Sequence, residues 1–476
     1  MQKNIERLLG VIGILLLAYV CFYRLGSFRL ENWDEAWYAD MMRNVTQTGN
    51  LAVMYWNKYA LLDKPPLYIW LGALSSFVLG HTELAYRLPS ALTGFMTILL
   101  ITGYALRRWG LLAAIMAFGT LAFNNVYMWR VRTANLDSFV TFLIVLVFFT
   151  ALSKHKLKYI ALGFLFAFIF LAKASLVVMP LVFVLASEIL YEHKHIIRRM
   201  PQYLIMVFIP VVICGAWLYA GSLQIGPQFA TYYLFHSDQN VARITLENFK
   251  TDYIMFAYYA LQRRFMYAFV LGLILLLRKI KNKESFLIIT FSTALLFLLS
   301  FTERKNNWYL VPAMPFWSLV IGYGISETIR FFKKDARIQS ALIAFVLLIG
   351  GYIFFKTLTV NIQALIDTSG PVDQAAAALY IQSKAKPDDI VIRTDQLYPT
   401  TIYYSGLKTY AFDANANLSN IGIGIRGFKD FMDQKEEIWI TGLSSDLDNF
   451  KTSYLTSFTV KSVFHKGNER VIRINY

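Results

Sequence analysis

The sequence predicts an all-α polytopic membrane domain of about eleven transmembrane helices, followed by a small C-terminal α/β domain. Three observations carry this. Hydrophobic residues make up 57% of the 476 residues and charged residues only 16%, where soluble domains carry roughly 25% charged. Charge-free apolar runs of about 18 or more residues recur, long enough to cross a bilayer. Beyond residue 356 these runs stop and charge returns. A mean hydropathy of +0.47 excludes a cytoplasmic enzyme, a disordered scaffold and a disulfide-rich secreted module. Cys21 and Cys214 are the two cysteines, and both lie in apolar runs. The 46 Lys+Arg against 30 Asp+Glu give a net charge of +16. In a membrane chain that excess orients loops and meets anionic lipid or phosphate, so no nucleic-acid partner is expected.

Residues 88–106, 111–129, 285–302, 306–326 and 338–355 meet the length criterion for a span, and 201–225 exceeds it. Residues 8–23, 138–153 and 265–277 are shorter, but basic flanks that snorkel to the interface extend them. The first run lacks a small-residue cleavage site after it and reads as a retained helix. Residues 159–172 and 174–187 flank Lys173. The basic clusters around Lys154–Lys158 and Lys194–Arg199 make the pair a hairpin with Lys173 at its outer turn, since cytoplasmic segments gather Lys and Arg. Counting residues 65–80 as a span would carry Arg107 and Arg108 outside, so that run is read as a helix along the outer interface. The result places the N-terminus in the cytoplasm and residues 1–356 in the membrane domain, with an outer loop at 24–87.

Residues 357–476 form the outer, periplasmic or extracellular domain. Pro371 suits the first turn of a helix over 374–383, and 389–394, 438–441, 458–464 and 471–476 read as strands. No internal repeat, phosphate-binding glycine loop or zinc spacing is visible, which argues against an ATP-driven pump.

The polar residues that remain gather in segments facing one membrane–water layer. Asp34 and Glu35 sit among aromatics in Glu31–Tyr38; Asp63 and Lys64 precede Pro65-Pro66; Asp137 opens the fourth span; Lys305 and Tyr309 lie between the ninth and tenth. Carboxylates beside cations at an interface suit a lipid-linked phosphate. The cations neutralise the departing phosphate while a carboxylate takes the proton of an incoming hydroxyl. Phosphate leaves without protonation, so one base suffices where glycosidases need two carboxyl groups.

The stretch from Asp34 through LLDKPPLYIWLGALSSFVLG to AYRLPSAL resembles the opening third of the bacterial aminoarabinose–lipid A transferases. It also resembles their relatives, the dolichyl-phosphate-mannose protein mannosyltransferases. RTANLDSF, FLAKA and KNNWYLVPAMP extend the likeness over most of residues 8–355. The resemblance implies a GT-C fold and an inverting transfer from a polyprenyl-phosphate sugar, such as undecaprenyl phosphate, in a bacterial inner membrane. The implied acceptor is lipid A, a glycan or a protein. It makes Asp34 the catalytic carboxylate, accompanied by Glu35, and Asp137 the second acidic position. Lys64 and Tyr309 would contact the donor phosphate, with Lys305 and Arg264 as further candidates. Asp63 would handle metal or acceptor, with a divalent ion as a candidate cofactor; beside it, from the residues alone, His236 and His81 are candidate ligands, with solvated loop histidines as the plainer reading.

Each residue also has a plainer reading. Asp34 and Glu35 are solvated loop residues, Asp137 caps a helix, Lys64 anchors headgroups, Tyr309 belongs to an aromatic belt, and Lys173 snorkels. Arg87 orients the second span. Arg263 and Arg264 either line the donor site or end a helix. Two other functions compete: a transporter or flippase of a lipid-linked glycan, and a non-catalytic anchor for residues 357–476. A transporter would favour internal repeats and mid-span ionisable residues, and neither is visible.

Overall fold

A computed structural model describes residues 2–236, 245–261, 263–367, 372–415, 418–433, 438–456 and 459–475. The chain divides into two compact units. The first comprises Met1–Leu25, Leu62–Tyr68 and Arg87–Asp367; the second comprises Gly26–Leu61, Ile69–Tyr86 and Thr368–Tyr476. The long loop expected to stay with the membrane helices thus clusters for the most part with the C-terminal domain.

The first unit is helical. Among the described residues, five helical stretches are long and apolar enough to cross a membrane, or seven if two bent pairs each count as one; four shorter apolar helices accompany them. The Asn307–Phe331 stretch is the centre, with 89% of its apolar window buried, whereas Ala336–Thr357 is peripheral at 11%. Small residues let the central helix approach its neighbours. A Cβ on Gly322 would sit 2.5 Å from the Ala113 carbonyl, and one on Gly324 would sit 2.7 Å from the Gly272 Cα. Residues 111–129, read as one span, are broken into Leu111–Ala122 and Asn125–Arg132 at an angle of 64°. Asn124 causes the break: its side chain caps the second helix by accepting from the Tyr127 N–H at 3.0 Å and donates to the Ala260 carbonyl at 2.9 Å. An apolar run does not reveal a cap within it.

Charge collects at two ends of this unit. At one, the buried Glu188 carboxylate gathers Lys158 at 2.9 Å, Lys283 at 2.6 Å and Arg199 at 3.5 Å, from three other helices. Tyr159 and Tyr203 donate to the same carboxylate at 2.7 and 3.0 Å. The basic segments predicted to share one membrane face therefore converge on one anion. The Lys158–Ala172 helix begins at this end and runs about 22 Å to Lys173 at the other. There Arg132 donates to the Val20 and Tyr23 carbonyls at 2.7 Å each, and Arg87 donates to the Leu25 carbonyl at 2.9 Å, closing the end of the Gln2–Phe22 helix.

The second unit holds a two-residue hairpin between β1 (Tyr55–Trp56) and β2 (Tyr59–Ala60) and a six-stranded sheet. The sheet strands are β3 (Ile390–Arg393), β4 (Lys408–Phe412), β5 (Gly422–Ile423), β6 (Ile438–Leu443), β7 (Thr459–Lys466) and β8 (Glu469–Asn475), in the order β5-β4-β3-β6-β8-β7. The first four are parallel and β7–β8 is an antiparallel edge hairpin. Alternation sorts the faces. Ile390 and Ile392 pack with Phe428, Leu447 and Phe450 on one side, and Val391 and Trp439 pack with Ala377 and Ile381 on the other. The four strands read from sequence are present, while β4 and β5 replace irregular or helical chain. Pro371 lies outside the described residues.

Arg393 ends β3 with no side-chain exposure, bonded to Asp395 at 2.8 Å, Glu469 at 2.9 Å and the Thr401 hydroxyl at 2.9 Å. Removing it strands two carboxylates, a loss that costs about 3–5 kcal/mol when a buried pair is broken. Arg393→Ala is therefore expected to lower the thermal midpoint of the purified chain sharply, whereas Lys461→Ala, at an exposed position of β7, should leave it near wild type.

Candidate functional site

Asp137 is the first residue of the Asp137–Leu152 helix. Its carboxylate meets Arg130 Nε at 2.9 Å and Lys173 Nζ at 3.6 Å, with its side chain only 8% exposed. Three elements supply these groups: Arg130 from the helix that Asn124 restarts, Asp137 from the next helix, and Lys173 from the turn closing Lys158–Ala172. Asn135 shapes the approach, accepting from the Asp137 N–H at 3.0 Å and donating to the Arg130 carbonyl at 2.9 Å. Arg130 lies against two indoles, 4.5 Å from the Trp129 ring centre and 4.9 Å from that of Trp308. Lys173 lies 5.0 Å over the Tyr309 ring. Asp137 and Tyr309, picked out from distant segments, are thus linked through Lys173, and Arg130 adds a second cation on Asp137. Sequence reading passed over Arg130; an arginine directly after an apolar run, next to Trp129, was the available signal.

The other candidates fare differently. Asp63 and Lys64 pair with each other at 3.2 Å, each a quarter exposed, and Tyr233 donates to the Lys64 carbonyl at 3.1 Å. Lys305 donates to the carbonyls of Asn248, Leu299 and Ser300 at 3.3, 3.1 and 2.7 Å, so its ammonium caps the end of the Lys283–Ser300 helix. Arg264 sits exposed at the start of Phe265–Leu277. The His236 side chain lies outside the described part. Among the described residues no three His, Cys, Asp or Glu side chains assemble as a metal site, and Asp63 faces a lysine.

In the second unit, Asp34 and Glu35 open the Asp34–Thr48 helix. Glu35 is buried and accepts from the Glu31 N–H at 2.8 Å, so it fixes the loop that enters the helix. Asp34 is half-buried. The residue before it, Trp33, has φ 65° and ψ −111°. A bulky side chain there is strained by on the order of 1–3 kcal/mol, which persists only where surrounding contacts enforce it and marks functional positions. The Ala36 and Trp37 N–H groups, bonded to the carbonyls of Glu31 and Trp33 at 3.2 and 2.8 Å, enforce it here.

In class, the fold is that of the GT-C glycosyltransferases, and the sequence resembles the same group. A family model described as dolichyl-phosphate-mannose-protein mannosyltransferase matches residues 63–219, a stretch holding Asp63, Lys64, Asp137 and Lys173. The structure of ArnT from Cupriavidus metallidurans bound to undecaprenyl phosphate aligns with a TM-score of 0.78 over 98% of this chain and 97% of that one. Their identity is 14%, so the likeness is one of fold. An uncharacterised protein of Aquifex aeolicus is 27% identical over 66% of this chain and 62% of its own length. An undecaprenyl phosphate-α-4-amino-4-deoxy-L-arabinose arabinosyl transferase of Proteus mirabilis is 23% identical over 70% of this chain and 63% of its own. The matched regions therefore span less than two thirds of these relatives.

Breaking the Asp137 cluster leaves Arg130 buried without its counter-ion, a loss of about 3–5 kcal/mol. The more exposed Asp63–Lys64 pair is worth about 1 kcal/mol or less. Asp137→Ala is expected to lower the thermal midpoint in detergent well below that of Asp63→Ala; equal midpoints would show that the cluster does not hold these helices together.

Proposed function

We propose that this chain is an integral membrane glycosyltransferase that moves a sugar from a polyprenyl phosphate to an acceptor on the outer face, with inversion. The observation that carries this reading is the Asp137 cluster. It holds one anion between two cations, with the Tyr309 phenol under one of them, at the end of the helical unit opposite Glu188. Such a layer suits a phosphate that must be bound, and whose added charge must be met as it leaves. The likeness to a fold whose solved example is bound to undecaprenyl phosphate supports the same donor class.

Asp34 takes the proton of the acceptor hydroxyl as its oxygen bonds to the anomeric carbon. The bond from that carbon to the phosphate oxygen breaks, and the phosphate departs with the electron pair. Lys64 meets the growing charge and the Tyr309 hydroxyl donates to it. Lys173 is pinned by Asp137 and adds a fixed positive field. Arg264 is a further contact for the donor, whereas Lys305 is occupied at a helix end. The strained Trp33 backbone supports the choice of Asp34 over Glu35. The chain would cross a bacterial inner membrane eleven times, with the N-terminus cytoplasmic and the domain after residue 356 periplasmic or extracellular. Its acceptor would be a lipid A-type glycolipid, another glycan or a protein.

Transfer from a polyprenyl-phosphate sugar, followed in nanodiscs, tests the reading. Asp34→Asn is expected to lose about 10²–10⁴-fold in rate, the worth of a general base, with expression and insertion unchanged. Lys64→Met should raise the KM for the donor and lower kcat. Near-normal transfer by Asp34→Asn would overturn the assignment.

A further inference from the structure

The second unit contains a cleft of about 490 Å3 that the transfer chemistry does not use, within the usual size of ligand sites. Its charged lining is Arg29, Arg43, Lys58, Asp40 and Glu83, with His81 beside them. Both carboxylates are turned toward internal partners. Asp40 accepts from Arg43 at 2.5 Å and, on its other oxygen, from the Asn57 N–H at 3.1 Å. Glu83 accepts from Arg29 at 3.0 Å and from the Tyr404 hydroxyl at 2.9 Å. Burial, aided by the nearby Arg43 charge, lowers the His81 pKa. The cleft therefore carries three permanent cations and two anions, with Arg43 paired to Asp40 and Arg29 to Glu83, an excess of one positive charge.

Two of those cations are held in place by the backbone and by stacking. Arg43, 15% exposed, donates to Asp40 and to the Tyr403 carbonyl at 2.5 Å each, and its guanidinium lies 4.7 Å over the Tyr403 ring. These bonds use two of its five N–H donors. Lys58 and Asn57 are the two turn residues between β1 and β2, with φ 66° and 51°. Such turns favour glycine at the second position, so a lysine there is strained. The turn is enforced by Asn57, which is buried, donates to the Thr409 carbonyl at 2.8 Å and accepts from the Thr409 N–H at 2.9 Å. Lys58 spends one of its three donors on the Pro387 carbonyl at 3.0 Å. Asn44, Gln47 and Gln382 add amides to the wall, groups that match sugar hydroxyls.

We infer that this cleft binds a phosphorylated saccharide, with Arg43 and Lys58 on the phosphate and the amides on the ring hydroxyls. The inference does not depend on the transferase reading. The phosphosugar is either a soluble molecule or the headgroup of a lipid, and the test separates the two. Calorimetry on the full chain in neutral detergent uses glucose 1-phosphate, glucose and inorganic phosphate; a parallel arm uses nanodiscs with and without phosphatidylinositol 4-phosphate. Glucose 1-phosphate is expected to bind saturably and at least about tenfold tighter than glucose. A headgroup bound only when carried by lipid identifies the membrane as its source. Lys58→Gly relieves the turn, so it should keep or raise the thermal midpoint while weakening binding about tenfold. Arg43→Lys, which retains the charge but loses the fork, should weaken it as well. No saturable binding in either arm, glucose binding as tightly as its phosphate, or affinities unmoved by both substitutions would overturn the inference.

Discussion

A carboxylate nearly removed from water between two cations is the constraint on which the helical unit depends. Asp137 alone would be costly to bury as a charge. Arg130 and Lys173 offset that cost, and because each arrives on a different helix the electrostatics fix how those helices meet. The indoles of Trp129 and Trp308 then hold the Arg130 plane, and Lys173 rests over Tyr309. The bend at Asn124 belongs to the same construction, since without it the Arg130 segment would continue the preceding helix.

Glu188 works in the same way at the opposite end, drawing Lys158, Arg199 and Lys283 from three other helices. Between the two charged layers the helices are joined by apolar packing and by glycines that admit close backbone approach. The unit is thus pinned by ions at both ends and by shape in between. In the C-terminal sheet, Arg393 takes the equivalent place, tying the end of β3 to Asp395 and to β8 through Glu469.

Most helices were legible because a bilayer demands long apolar runs, and no other constraint in the chain is as strong. What stayed hidden was local or long-range. The Asn124 cap interrupts a run that hydropathy scores as continuous. The clustering of residues 26–61 and 69–86 with the C-terminal domain rests on distant contacts, such as Asn57 with Thr409, that no local pattern encodes. β4 is five residues long and flanked by a short helix, leaving little period to read. Among the candidate residues, Asp137 and Tyr309 were picked by motif, and both lie beside Lys173, which the sequence reading made a hairpin turn. Arg130, Arg43 and Lys58 were missed, because their importance comes from partners far along the chain. The positive φ of Trp33 and Lys58 has no signature in residue type at all.

On the proposed function, the Asp137 end of the helical unit receives the phosphate of a polyprenyl donor. Cryo-electron microscopy of the chain in nanodiscs containing a polyprenyl phosphate tests it most directly. Phosphate density is expected within hydrogen-bond distance of Lys64 Nζ and the Tyr309 hydroxyl. Phosphate density seated instead against Lys158, Arg199 and Lys283 around Glu188 would contradict it.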